Sequence, residues 1–331
     1  MLISVIVPTF NRARLLPTTI PALASQELRD GVRYEVIFVS NGSTDDTEEV
    51  IRREALEKHP GIFRYYRREP SGGGAAPRNT AMRVARGEVL LNIDDDVKPD
   101  LDLVLRHAEF HMSHPDQRDA AVGEAYVPDR IRGDPVSFFH EYPYDSIRGR
   151  DVVAYDYFWS CNVSVKRDFM LEHGMFDERF LFNEDVVLGH KLDRAGMRLH
   201  FLPAARGEHL HQLKLEGLRA KAHHAGRWIY ATVQELPDKE VIERYGVLSP
   251  RLGGRLYAKR LVRRIAFRIV DNPVTHAVLR ALGAENGKRS RWSDMHYGLL
   301  HRRWVVAAYH EARREAGGGK PAVLSAPPGN A

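Results

Sequence analysis

The chain has 331 residues, 43% of them hydrophobic and 28% charged, enough to bury one large core or two smaller ones in an ordinary globular protein. A single cysteine, Cys161, excludes an intramolecular disulfide and a Cys-rich zinc centre, and fits a reducing compartment. The net charge of +5 is unevenly spread: residues 244–314 carry 16 Lys and Arg against 4 Asp and Glu, leaving 33 against 40 elsewhere. An acidic body thus carries a basic C-terminal region.

The opening MLISVIVPTF reads as a strand that begins at once, without the charged and apolar regions of a leader peptide. No apolar run reaches the length of a membrane span. The expectation is a cytoplasmic protein. Three apolar runs, LISVIV (2–7), EVIFVS (35–40) and EVLLNI (88–93), lack strict alternation, as strands buried on both faces of a parallel sheet do. Between them, NGSTDDTEEVIRREALEKH predicts a helix capped by Ser43 or Thr44, and AAPRNTAMRVARG predicts one stopped by Gly87. Strand–helix alternation predicts a doubly wound α/β domain over the first 100 residues.

Ligands of such sheets bind outside the carboxyl ends of the strands. PTFNR (8–12), NGSTDD (41–46) and DDD (94–96) follow the three strands and are expected to converge on one edge. Taken alone, the triple Asp is an acidic turn. At a ligand edge, three like charges raise one another's pKa unless a cation is present, and Mg²⁺ or Mn²⁺ is held by one or two carboxylates with phosphate oxygens and water. An extended chain would turn Asp94 and Asp96 to the same side. The loop SGGGAAPRNTA (71–81) lacks the phosphate-loop and dinucleotide fingerprints, but offers Arg78 and Asn79 in the first turn of a helix as donors to a diphosphate or sugar. In NEDVVLGHKLDRAG (183–196), Asn183 is expected to cap a helix with Glu184 and Asp185 in its first turn, where acids suit the helix dipole.

The ordered set VIVPTFNR, VSNGSTDDT, GGGAAPRNTA, LNIDDDVKPD and FLFNEDVVLGHKLDRAG resembles family 2 glycosyltransferases of the GT-A fold over about residues 2–215. That resemblance implies an α/β GT-A domain at 1–215, with a nucleotide-binding half (1–100) and an acceptor-binding half (101–215). It implies transfer from a nucleotide-diphosphate sugar donor to a glycan, lipid-linked or small-molecule acceptor, with inversion. Pro8, Thr9, Asn11, Arg12, Asn41 and Ser43 would line the nucleoside pocket. Asp94 would touch the ribose or the metal shell, Asp95 would orient the site and Asp96 would ligate Mn²⁺ or Mg²⁺. Asp185, beside Glu184, would be the general base. His209, with His211 the alternative, would be the second metal ligand, and Trp159 and Asn162 would meet the acceptor. Ser40 stands where the family pattern has an aspartate, which leaves the nucleotide base open. A retaining enzyme and a non-catalytic nucleotide-sugar-binding protein are the rival readings.

Beyond residue 215 a basic helical region (216–315) and a disordered tail (316–331) are expected. RLYAKRLVRRIAFRIV interleaves apolar residues with arginines, which suits a docked helix with a solvated basic face, or contact with anionic lipid or an anionic acceptor. No nucleic-acid-binding motif is present, and no nucleic acid partner is expected.

Overall fold

The computed structural model describes residues 1–137, 142–236, 238–247, 252–283, 289–319 and 321. Of the expected tail, residues 320 and 322–331 lie outside the described residues. The chain packs as two compact units. One comprises Met1–Pro128 with the described part of Glu141–His211, the other the described parts of Asp129–His140 and Gln212–Leu324.

The first unit is a mixed α/β sandwich. In chain order it contains β1 (Leu2–Thr9), α1 (Leu16–Ala24), β2 (Arg33–Ser40), α2 (Thr47–Ile51), β3 (Phe63–Arg67), α3 (Ala75–Val84), β4 (Val89–Ile93), β5 (Val97–Pro99), α4 (Leu103–Ser113) and β6 (Asp119–Tyr126). After α5 (Asp129–Arg132), which belongs to the second unit, it resumes with β7 (Val152–Val153), β8 (Asn162–Lys166), α6 (Arg167–His173), α7 (Glu184–Arg194) and β9 (Arg198–His209). The strands form one sheet in the order β3-β2-β1-β4-β8-β6-β9-β5, with β7 on β9. The first four pair in parallel, whereas β8 runs antiparallel to both β4 and β6. The chain leaves β1 first toward β2 and β3 and then to its other side at β4. That reversal makes the carboxyl ends of β1 and β4 a switch point, where such sheets hold ligands.

Every residue of β4 is buried and β1 is buried over Ile3–Val7, as their unbroken apolar runs require. Gly87 is not the helix stop. Helix α3 ends at Val84, because Ala85 is extended, and Gly87 instead lets the chain pass close to β1. A Cβ there would lie 2.6 Å from the Ser4 nitrogen and 2.8 Å from the Leu2 oxygen. Nor do Ser43 and Thr44 cap a helix. Helix α2 starts at Thr47, whose N–H donates to Asp45 Oδ1 at 3.1 Å, and Ser43 and Thr44 serve the neighbouring loop instead. Asn183 precedes α7 in the left-handed region (φ 62°) without its side chain capping the helix.

The second unit is helical: α5, α8 (Leu215–Glu235), α9 (Lys239–Arg244), α10 (Gly254–Val270), α11 (Pro273–Gly283) and α12 (Arg291–Glu315). Gly226 permits close approach of α8 to α12, since a Cβ there would lie 2.8 Å from that of Ala308. Ser290 and Ser293 form a capping box that starts α12. No described helix is long and apolar enough to cross a membrane.

Candidate active site

The loops after β1, β2 and β4 meet around a cleft of about 490 Å³, which is lined by Pro8, Thr9, Phe10, Asn11, Arg12, Asn41, Gly73, Gly74, Pro77, Asp94, Asp95, Asp96 and His211. The loops brace one another. Asn11 adopts φ 52°, and its backbone N–H donates to Ser43 Oγ (3.1 Å) while its Oδ1 accepts from the Thr44 N–H (2.8 Å). The Arg12 N–H donates to Thr47 Oγ1 at 2.7 Å. Ser43 is buried and outside the lining. Its Oγ also takes a hydrogen bond from Ser40 (2.9 Å), so the serine that departs from the family pattern fastens the loop. Asn41 donates to the Gly73 carbonyl (3.2 Å) and accepts from Arg68 and Ser71, tying the second loop to the glycine-rich one.

The triple Asp is a turn, not an extended segment, because the Val97 N–H closes on the Asp94 carbonyl at 3.0 Å. The turn removes the strand-geometry reason for Asp94 and Asp96 to share a side, yet both line the cleft, and the three acids meet different sets of cations. Arg78 Nη2 lies 2.5 Å from Asp94. Arg12 Nε lies 3.0 Å from Asp95 and its Nη2 3.8 Å from Asp96. His209 Nε2 and His211 Nδ1 stand 3.4 and 3.5 Å from the two oxygens of Asp96. Burial pushes Asp95 up against the pull of Arg12. Burial also opposes ionisation of Asp96, but His209 and His211 outweigh it and hold that carboxyl well below the usual range.

These residues fit a divalent cation in chemistry. Asp96 Oδ1 is buried without a hydrogen-bond partner, and one carboxylate oxygen with imidazole nitrogens is a donor set that suits Mn²⁺. Among the described residues no group of three or more His, Cys, Asp or Glu side chains forms a ready-made cage. Magnesium-type ions need none, since substrate phosphates and water complete their shell.

Arg78 joins this cleft to the acids of α7. It is buried, 4% exposed, and its Nη1 lies 3.0 Å from Glu184 Oε1 while its Nη2 holds Asp94. Gly74 leaves room for the guanidinium, which a Cβ would overlap. Asp185, the next residue, accepts from the Val186 N–H at 2.8 Å and from the Ser160 N–H at 3.5 Å. Burial first, then the charge of Glu184, raises its carboxyl to about 7.

Two of the expected ligand contacts are otherwise engaged. Asn79 is 2% exposed. Its amide donates to the Phe176 carbonyl and to Glu178, both at 2.9 Å, and its Oδ1 accepts from the Phe176 N–H, so it clips α3 to the segment before α7. Asn162 is wholly buried, accepting from His107 Nε2 (3.0 Å) and donating to the Ala205 carbonyl (2.9 Å). Burial holds His107 neutral, lowering it to about 4, so its ring is a polar strut. Trp159 is 5% exposed and packs among Tyr142, Tyr144 and Tyr157 with centroids 4.7, 5.0 and 5.2 Å away. Phe10, Gly73, Gly74 and Pro77 line the cleft without having been singled out, since lining with apolar side chains or bare backbone carries no charge signal. Cys161 is buried and far too basic to act as a nucleophile.

Residues 4–156 match glycosyl transferase family 2. This segment belongs to that family. A poly(ribitol-phosphate) beta-glucosyltransferase of Bacillus spizizenii is 31% identical over 141 residues, 43% of this chain and 22% of the relative. Poly(ribitol-phosphate) beta-N-acetylglucosaminyltransferase TarP of Staphylococcus aureus is 25% identical over 165 residues, 49% of this chain and 47% of the relative. The chain thus spans less than half the length of either. The solved mannosyltransferase PcManGT of Pyrobaculum calidifontis, in complex with GDP-Man and Mn²⁺, superposes with a TM-score of 0.63 at 20% identity, over 93% of this chain and 86% of that one. The family 2 segment thus sits in a GT-A fold, with a helical C-terminal part.

Proposed function

We propose that this family 2 protein transfers a sugar from a nucleotide-diphosphate donor to an acceptor hydroxyl with inversion at the anomeric carbon. The acceptor is a glycan, a lipid-linked molecule or a small molecule. One observation carries the reading. A single buried guanidinium, Arg78, reaches Asp94 of the donor cleft and Glu184 beside Asp185, so two acidic motifs ninety residues apart act around one centre.

In this reading Pro8, Thr9, Asn11, Arg12 and Asn41 receive the nucleoside end of the donor, and Asp96 with His209 or His211 would hold a divalent cation. When bound, that cation offsets charge on the departing diphosphate. Asp185 takes the proton of the acceptor hydroxyl as its oxygen attacks the anomeric carbon. A carboxyl near 7 is half ionised at neutral pH, and so both available as a base and basic enough to hold the proton. Arg78 restrains Asp94 and Glu184, and burial, then the charge of Glu184, keeps Asp185 basic.

The test is transfer from a panel of UDP- and GDP-sugars by the wild type, Asp185→Asn and Asp96→Ala. Loss of roughly 10²–10⁴-fold in kcat/KM for Asp185→Asn, with donor binding retained, is the expected result. Transfer at the wild-type rate by Asp185→Asn would remove the base from the account.

A further inference from the structure

The second unit holds a cavity of about 200 Å³ that the proposed transfer does not use. Among the described residues, six arginines line it: Arg260, Arg263, Arg264 and Arg268 of α10, and Arg302 and Arg313 of α12. No acidic side chain among the described residues lines it. The acids of the neighbouring sequence are committed elsewhere. Asp271 meets Arg303 at 2.6 Å, Glu311 meets His223 at 2.9 Å and Glu315 meets Arg227 at 2.6 Å.

Burial, then Arg260 and Arg263, lowers the pKa of Arg302, whose guanidinium retreats over the Phe267 ring, 4.5 Å from its centroid. Arg264 donates to His310 Nε2 at 3.0 Å, which makes that nitrogen an acceptor and the ring neutral. Cations gathered around a hollow repel one another and attract a counter-ion, so a bound anion relieves the cluster. Guanidinium forks arriving from two helices suit a tetrahedral group with several charged oxygens better than a single carboxylate. The volume admits a phosphate or diphosphate rather than a length of polymer.

We propose that this cavity is an anion site that takes a phosphate ester, held between the arginines of α10 and α12. The phosphate has two possible sources. Helix α10 buries none of its residues and leaves Val262, Ile265 and Ile269 exposed by 65%, 52% and 70%, spaced along one face. An exposed apolar stripe beside arginines is the form of a helix that lies in a lipid interface, so the phosphate of an anionic lipid is one source. A soluble phosphate ester is the other.

The experiment uses the full chain and the double variant Arg264→Gln/Arg302→Gln, neither position being in the donor cleft. Melting is followed against inorganic pyrophosphate in chelator, and co-sedimentation against phosphatidylcholine vesicles with and without phosphatidylglycerol. The wild type is expected to show a saturable rise in Tm, with the apparent Kd at least tenfold weaker in the double variant. Removing like charges is expected to leave the Tm without pyrophosphate equal to or above that of the wild type. A second pair, Arg263→Gln/Arg268→Gln, both exposed, repeats the test should the first fold poorly. Sedimentation with phosphatidylglycerol vesicles that the double variant loses assigns the phosphate to lipid, and a pyrophosphate response without it assigns a soluble ester. Identical pyrophosphate curves for the wild type and both variants, or no saturable response in any, overturns the proposal.

Discussion

At the scale of single residues, a few charges share very little space. Arg78 is a buried cation with two carboxylate partners, and removing one member of such a set leaves uncompensated buried charge. Arg78→Ala is expected to cost about 3–5 kcal/mol in chemical denaturation, a range typical of broken buried pairs. Arg78→Lys keeps the charge but lacks the fork, so it should fold better than the alanine variant while still losing transfer activity. A second expectation concerns pH. Burial and Glu184 raise Asp185 to about 7, and the proposed base works only when ionised. The kcat/KM should therefore rise with pH through about 7 and level above it. Asp185→Asn should abolish that rise in a pH–rate profile of the residual activity. Chelation should remove transfer in the wild type, and added Mn²⁺ or Mg²⁺ should restore it, as measured by product formation. Sequence made these acids conspicuous but not their partners. That Asp94 belongs to Arg78 and Asp95 to Arg12 depends on a turn closed by Val97, which no run of three identical residues reveals.

At the scale of elements, β1, β2 and β4 were legible because unbroken Val, Ile and Leu runs have few other uses, and helices α8 and α10 because their periodicity is long. Three features were not. Strand β3, FRYYR, is polar and aromatic at the edge of the sheet, with one of its five residues buried, so it lacks the apolar run of its neighbours. Gly87 and Asn79 each looked like helix-end or ligand residues, yet both are packing devices whose partners, Ser4 and Phe176, lie 83 and 97 residues away. Long-range contacts of that kind leave no local trace. Gly87→Ala supplies a check. Forcing a methyl to within 2.6 Å of a backbone nitrogen between β1 and β4 should cost roughly 1–3 kcal/mol. An unchanged denaturation midpoint would show that the strands separate more easily than the register implies.

At the scale of the whole molecule, the uneven charge seen in the sequence has a structural counterpart. The cleft belongs to the first unit and is rich in acids, while the arginine cluster belongs to the second. The expected division at residue 215 did not anticipate that residues 129–137 pack with the second unit, since a short excursion carries no compositional mark. Donor binding should be visible in the intact chain. A nucleotide-diphosphate sugar with Mn²⁺ at one hundred times its Kd is expected to stabilise the fold by about 2.7 kcal/mol, read as a rise in Tm that Asp96→Ala diminishes. The central claim, inverting transfer with Asp185 as base, is tested most directly by the anomeric configuration of the product. For a donor whose sugar is α-linked to its diphosphate, proton NMR of freshly formed product should show a β-glycoside. An α-glycoside would contradict the account.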